Sequence, residues 1–113
     1  MEASPHELVI YETEQSEAPF QEWLDSLRDP SARARIKKRL DRIKLGNLGD
    51  YKALGEGVYE LRIDYGPGYR VYYGKVDSII ILLLCAGDKN TQAKDIDLAK
   101  QFWNDFKKRE DTN

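Results

Sequence analysis

Val58-Tyr59-Glu60-Leu61-Arg62-Ile63-Asp64-Tyr65, then Gly66-Pro67-Gly68, then Tyr69-Arg70-Val71-Tyr72-Tyr73 is the stretch whose reading decides the fold. On either side of the Gly-Pro-Gly turn the residues alternate: Tyr59, Leu61 and Ile63 make one apolar set, and Tyr69, Val71 and Tyr73 the other. A period of two marks half-buried strands, and a short Gly/Pro connection between two of them predicts an antiparallel hairpin. Paired residues share a face, so keeping both apolar sets on the core side requires paired positions of even sum, and with the turn centred on Gly66 Arg62 stands opposite Arg70. Like charges placed so cost up to about 1 kcal/mol. A pair retained against that cost predicts an anion between them, with RNA phosphate as the expectation.

Outward from the hairpin, Glu7-Leu8-Val9-Ile10-Tyr11-Glu12 reads as a short strand, and Phe20, Trp23, Leu24 and Leu27 recur at helical spacing. Proline disfavours the helical conformation in the residue before it, which predicts that this first helix ends near Asp29-Pro30. Ser31 is placed to cap a second helix with the apolar stripe Ile36, Leu40 and Ile43. Gly46, Gly49, Gly55 and Gly57 then punctuate a long connection through Lys52. After the hairpin, Ile79-Ile80-Ile81-Leu82-Leu83-Leu84 shows no polar alternation and predicts a central strand covered on both faces. A last helix carries Ile96, Ala99, Trp103 and Phe106 on one side. The order is strand, helix, helix, three strands, helix: one α+β domain over 1–113, with a core from about 8 to 106 between short polar tails.

The formal net charge of −2 conceals a polarity along the chain. Residues 1–30 carry eight acids against Arg28 alone, whereas 31–50 carry seven bases, among them Arg35, Lys38, Arg39 and Arg42, against two acids. A basic helix of this kind suits nucleic acid or an acidic partner, and equally a solvated face. The single cysteine, Cys85, closes the apolar run and is expected as a buried thiol. The single histidine, His6, falls in an expected N-terminal tail. So few His and Cys residues predict no metal site and no cofactor. The start lacks a basic, apolar leader and the Ile/Leu run is too short to span a bilayer, so cytoplasmic residence with no membrane contact is expected.

Metal-independent RNA cleavage needs a base for the 2′-hydroxyl, cations for the charge growing on the phosphate, and an acid for the leaving 5′-oxygen. Arg62 and Arg70 supply the charge, and Lys89 at the exit of the central strand is placed to join them. Asp95, Asp88 and Lys52 are the accessible choices for base or acid. Tyr72 is predicted to share the face of Arg70, where an aromatic ring suits base stacking.

Taken together, Tyr51-Lys52-Ala53-Leu54-Gly55-Glu56-Gly57-Val58-Tyr59-Glu60-Leu61-Arg62, then Gly68-Tyr69-Arg70, then Ala86-Gly87-Asp88-Lys89, and finally Ala93-Lys94-Asp95-Ile96 resemble the RelE/ParE toxin superfamily. The resemblance is to its HigB-like branch, the phage-derived addiction module killer proteins, and covers about Leu8 to Phe106. It implies a microbial-RNase-type fold: a small, mainly antiparallel sheet, two N-terminal helices on one face, a C-terminal helix, and an open basic face. It implies the toxin of a type II toxin–antitoxin pair, a ribosome-dependent mRNA endonuclease that arrests translation. By position, Arg70 would neutralise the scissile phosphate and Lys89 would stabilise the transition state. Arg62 falls on the second of two strand lysines of RelE-type members, and Glu60 replaces the first. Asp95 stands where such toxins carry a tyrosine and would serve as base or proton shuttle. Lys52, Tyr72 and the basic residues Arg35, Lys38, Arg39 and Arg42 would bind RNA or ribosome. The partner implied is an antitoxin, often a helix-turn-helix protein, that joins the toxin on operator DNA. Two other readings share the scaffold: a ParE-like, non-enzymatic inhibitor of DNA gyrase, and a DNA-binding module acting with the antitoxin.

Overall fold

The computed structural model describes residues 5–111. The outermost parts of the polar tails, 1–4 and 112–113, lie outside the described residues. The chain runs β1 (Glu7–Ile10), α1 (Pro19–Ser26), α2 (Pro30–Lys44), β2 (Tyr51–Gly55), β3 (Val58–Ile63), β4 (Tyr69–Val76), β5 (Ile80–Asp88), a single 3-10 turn (Lys89–Thr91) and α3 (Gln92–Asp111). The five strands form one sheet in the order β1-β5-β4-β3-β2, in which only β1 and β5 are parallel. The apolar run is thus a central strand, as its lack of alternation predicts.

The hairpin adopts the register centred on Gly66, with Arg62 opposite Arg70 and Ile63 opposite Tyr69. Leu61, Ile63, Tyr69, Val71 and Tyr73 point to one face, where Phe20 and Leu24 of α1 and Ala32, Ile36, Leu40 and Ile43 of α2 cover them. Asp29, and not Ser31, caps α2: its Oδ1 accepts from the Ser31 amide at 2.9 Å, and Pro30 takes the first helical position, where a missing N–H costs nothing. The first helix stops at Ser26, short of the proline. His6 belongs to no loose tail, since its amide donates to the Lys44 carbonyl and its ring contacts the Ile43 carbonyl at 3.2 Å.

Two expectations need correction. The glycine-punctuated connection contains a strand, β2, whose mostly exposed residues at the sheet edge have no apolar alternation to betray it. The other face of the sheet is not open either, because α3 lies across it. Ala99 and Trp103 pack there with Val58, Tyr72, Leu82, Leu84 and Cys85. Trp103 sits so close that a Cβ on Gly74 would come within 2.4 Å of its ring, so this strand position admits only glycine without movement. A bulge opposite Tyr72 and Tyr73 places Leu84 and Cys85 both under α3 and returns Ala86 to the α1/α2 side.

Candidate active site

What α3 leaves uncovered is the turn end of β3 and β4. Side chains paired across the ladder form two short rows on the α3 face: Arg62, Arg70 and Gly87 in one, and Lys52, Glu60, Tyr72 and Cys85 in the other. Glu60 therefore stands two residues before Arg62 on the same face and diagonal to Arg70. Its carboxylate is fully buried. Arg70 Nε lies 2.8 Å from Glu60 Oε1, although the N–H points off that line, so the contact is ionic and not a hydrogen bond. The same oxygen accepts from Gln92 Nε2 at 2.7 Å. Arg62 Nε is 3.9 Å from Oε2, which has no hydrogen-bond partner.

The anion that the facing arginines demand is thus supplied from within the protein, and the expectation of an external phosphate between them is corrected. One carboxylate against two guanidiniums leaves the cluster net positive. The two arginines also differ, since the Arg62 side chain is 36% exposed and that of Arg70 only 11%.

Arg62, Arg70 and Lys89 line one cleft of about 250 Å³, together with Gly68 and the carboxylates of Asp50 and Asp64. Gly68, at φ +83°, lets the chain pass under these cations: a Cβ there would lie 3.6 Å from Lys89 Cδ and 3.8 Å from Arg70 Nη1. Neither aspartate stands out in the sequence as a site residue. Asp64 carries one signal, because it follows Ile63 and so sits outside the buried set.

The remaining expected site residues separate. Asp95 does not line this cleft. It is nearly buried, accepts from Thr91 Oγ1 at 2.5 Å and presses on Gly87, where a Cβ would fall 1.9 Å from its Oδ2. Burial pushes its carboxyl above the usual range, against the opposing pull of the Thr91 hydrogen bond. Tyr72 shares the face of Arg70 as expected but is wholly buried beneath α3, which leaves no ring surface for a base. Its phenol is pushed up, first by burial and then by Glu60 and Asp95. Cys85 is buried, its thiol raised to about 12 by desolvation and donating to the Asp95 carbonyl at 3.6 Å. Lys52 is exposed on the edge strand beside Glu60.

A second, larger cleft of about 560 Å³ runs along α2, lined by Arg35, Lys38, Arg39, Arg42, Ile63, Asp64 and Tyr65. Arg39 is half-buried and committed inward: its guanidinium donates to the carbonyls of Arg62 (2.5 Å), Asp50 (2.9 Å) and Leu48 (3.1 Å), tying the loop before β2 to β3. Its assignment to an RNA surface is corrected accordingly. Arg35 lies over the Tyr65 ring at 4.4 Å, while Lys38 and Arg42 remain exposed. Among the described residues, no three His, Cys, Asp or Glu side chains are grouped to hold a metal ion, and no helix is long and apolar enough to cross a membrane.

The model of the family described as phage-derived protein Gp49-like (DUF891) matches residues 22–104, a span that includes the whole cleft. The chain belongs to this family. An uncharacterized protein of Haemophilus influenzae is 48% identical over 81 residues, covering 72% of this chain and 82% of the relative. The matched family segment also takes in most of the α1/α2 layer and most of α3, so family and fold coincide over one unit.

Proposed function

We propose that the chain is the toxin of a type II toxin–antitoxin pair and a ribosome-dependent, metal-independent mRNA endonuclease. One observation carries the reading: Arg62, Arg70 and Lys89 line a single cleft together with the carboxylates of Asp50 and Asp64, which puts cations for a phosphate and a base for a hydroxyl side by side. Membership in a phage-derived family associated with toxin–antitoxin modules supports it. In the reaction, a 2′-hydroxyl loses its proton to a carboxylate as its oxygen attacks phosphorus. The bond to the 5′-oxygen breaks, and Lys89 returns a proton to that leaving group. Asp50 and Asp64, inside the cleft, are better placed as the base than Asp95. The translating ribosome would hold the message in line, and an antitoxin would cover the same basic surface.

Mapping transcript 5′ ends after brief induction tests this. New ends inside translated reading frames are expected with the wild-type chain. Lys89→Ala, an exposed change that leaves Glu60 paired, should lower cleavage by roughly 10²–10³-fold without altering the unfolding midpoint. Undiminished cleavage by this variant would reject the site.

A ParE-like, non-enzymatic inhibitor of gyrase is the second reading. The inward-turned Asp95 and the arginine already engaged by Glu60 favour it, because both subtract from a nuclease set. Blocked supercoiling with intact ribosome-bound mRNA would establish it in place of the first.

A further inference from the structure

Glu60 is a fully buried carboxylate on a sheet face roofed by a helix. Charge is expensive to place there, and replacing buried ionic groups with apolar side chains of like volume is often neutral or stabilising. Packing alone therefore gives no reason for a carboxylate at this position. Its contacts do. It meets Arg70 through Nε, the inner edge of that guanidinium, at 2.8 Å. Arg70 still reaches the cleft, with Nη1 over Gly68, where it also donates to the Tyr69 carbonyl at 3.4 Å. Toward Arg62 the carboxylate is looser, at 3.9 Å, which leaves that side chain one-third exposed. Gln92, the first residue of α3, donates to the same oxygen that faces Arg70 and so fixes the carboxylate in turn.

We infer that Glu60 is a positioning residue: it draws the inner edge of Arg70 toward the sheet so that the outer edge of the guanidinium is presented, already oriented, to a phosphodiester in the cleft. Gln92 couples this arrangement to α3. The inference rests on the nuclease reading of the same cleft. It is distinct from a blocking role, in which Glu60 would merely occupy the arginines until substrate displaced it.

Glu60→Gln separates the two, since the side chain keeps its shape and loses its charge. Removing a negative charge from beneath the cleft leaves the affinity for a short single-stranded RNA oligonucleotide equal or higher, measured by fluorescence polarisation. Turnover on ribosome-bound mRNA, measured with saturating complex, falls on the order of 100-fold, the size expected when a reacting group is misplaced by about an ångström. Gln92→Ala, which leaves every charge in place, lowers turnover in the same direction by a smaller factor, and it decides the matter should Glu60→Gln fail to fold.

Turnover that is unchanged or raised in Glu60→Gln would overturn the inference in favour of a blocking anion. Affinity and turnover that fall together, in proportion to lost folded protein, would overturn it in favour of a purely structural role. Wild-type protein that cuts no ribosome-bound mRNA removes the nuclease reading and this inference at once. A cutting wild type with an unimpaired Glu60→Gln removes the inference alone.

Discussion

The groove along α2 and the cleft between β3, β4 and Lys89 both gather basic side chains, yet they are built differently. The groove is the larger and holds more bases, but two of its arginines are occupied singly: Arg39 by backbone carbonyls, Arg35 by the face of Tyr65. Lys38 and Arg42 project into water, where charge is screened beyond about 10 Å. The cleft is smaller, and two of its cations, Arg62 and Arg70, face a buried counter-charge that Gln92 of α3 holds. Basic residues are thus denser in the groove, whereas a buried partner at low exposure belongs to Arg70 in the cleft. The two regions adjoin through Asp64, which lines both.

The comparison breaks most sharply at Arg70. Arg70→Ala leaves Glu60 buried with only the distant Arg62 and the Gln92 amide, and breaking a buried ion pair from one side costs about 3–5 kcal/mol. Urea unfolding of the full chain should report that loss, and adding Glu60→Leu to Arg70→Ala should recover most of it. Loss of toxicity in Arg70→Ala is therefore no clean test of chemistry, unlike the same loss in Lys89→Ala. An Arg70→Ala variant as stable as wild type would show the pair to be solvated and would erase the distinction between cleft and groove.

Much of this architecture is legible in the residues. Alternation in 59–63 and 69–73 restricts the hairpin to registers of even sum, because a slip by one would turn one strand's apolar set away from α1 and α2, and a turn centred on Gly66 selects the register that forms. The facing arginines follow from that register. Glu60 is legible too, as the residue two before Arg62 on the same face, although the family resemblance presents it only as a missing lysine. A carboxylate beside two paired cations is itself the anion such a pair calls for. The burial of Tyr72 and Asp95 is hidden, since strand alternation says which face a side chain takes and nothing of what covers that face. Only the placement of Ala99 and Trp103 over Gly74 and Leu82 closes α3 on the sheet. Arg39 is hidden for a similar reason: its partners are carbonyls brought near by the fold, which no side-chain pattern records.

Outside both regions, the contact between α3 and Gly87 responds to pH through Asp95. Burial raises this carboxyl, so the folded protein holds the proton at a pH where the unfolded chain has released it. The contribution of Asp95 to stability is complete below the ordinary value of 3.8 and is lost as pH rises through the raised value. Asp95→Asn keeps an acceptor for the Thr91 hydroxyl and removes the titration. Its unfolding midpoint should match wild type at the acid end and exceed it increasingly as pH climbs. A gap that stays constant across the range would mean that Asp95 ionises freely and that its site beside Gly87 and Thr91 is wet.

The smallest effects belong to the groove. Lys38→Ala and Arg42→Ala remove exposed charges with no buried partner, so each should leave stability within about 0.5 kcal/mol of wild type. If the groove touches RNA phosphates, each variant weakens binding of polyanions of any sequence, and the slope of log affinity against log salt falls by about one for every phosphate no longer neutralised. Single-turnover cleavage at saturating ribosome concentration should stay at the wild-type rate, because these residues reach no reacting atom. The opposite pattern, a full salt slope with slowed cleavage, would place chemistry in the groove and leave the buried Glu60 cluster as a device of the fold alone.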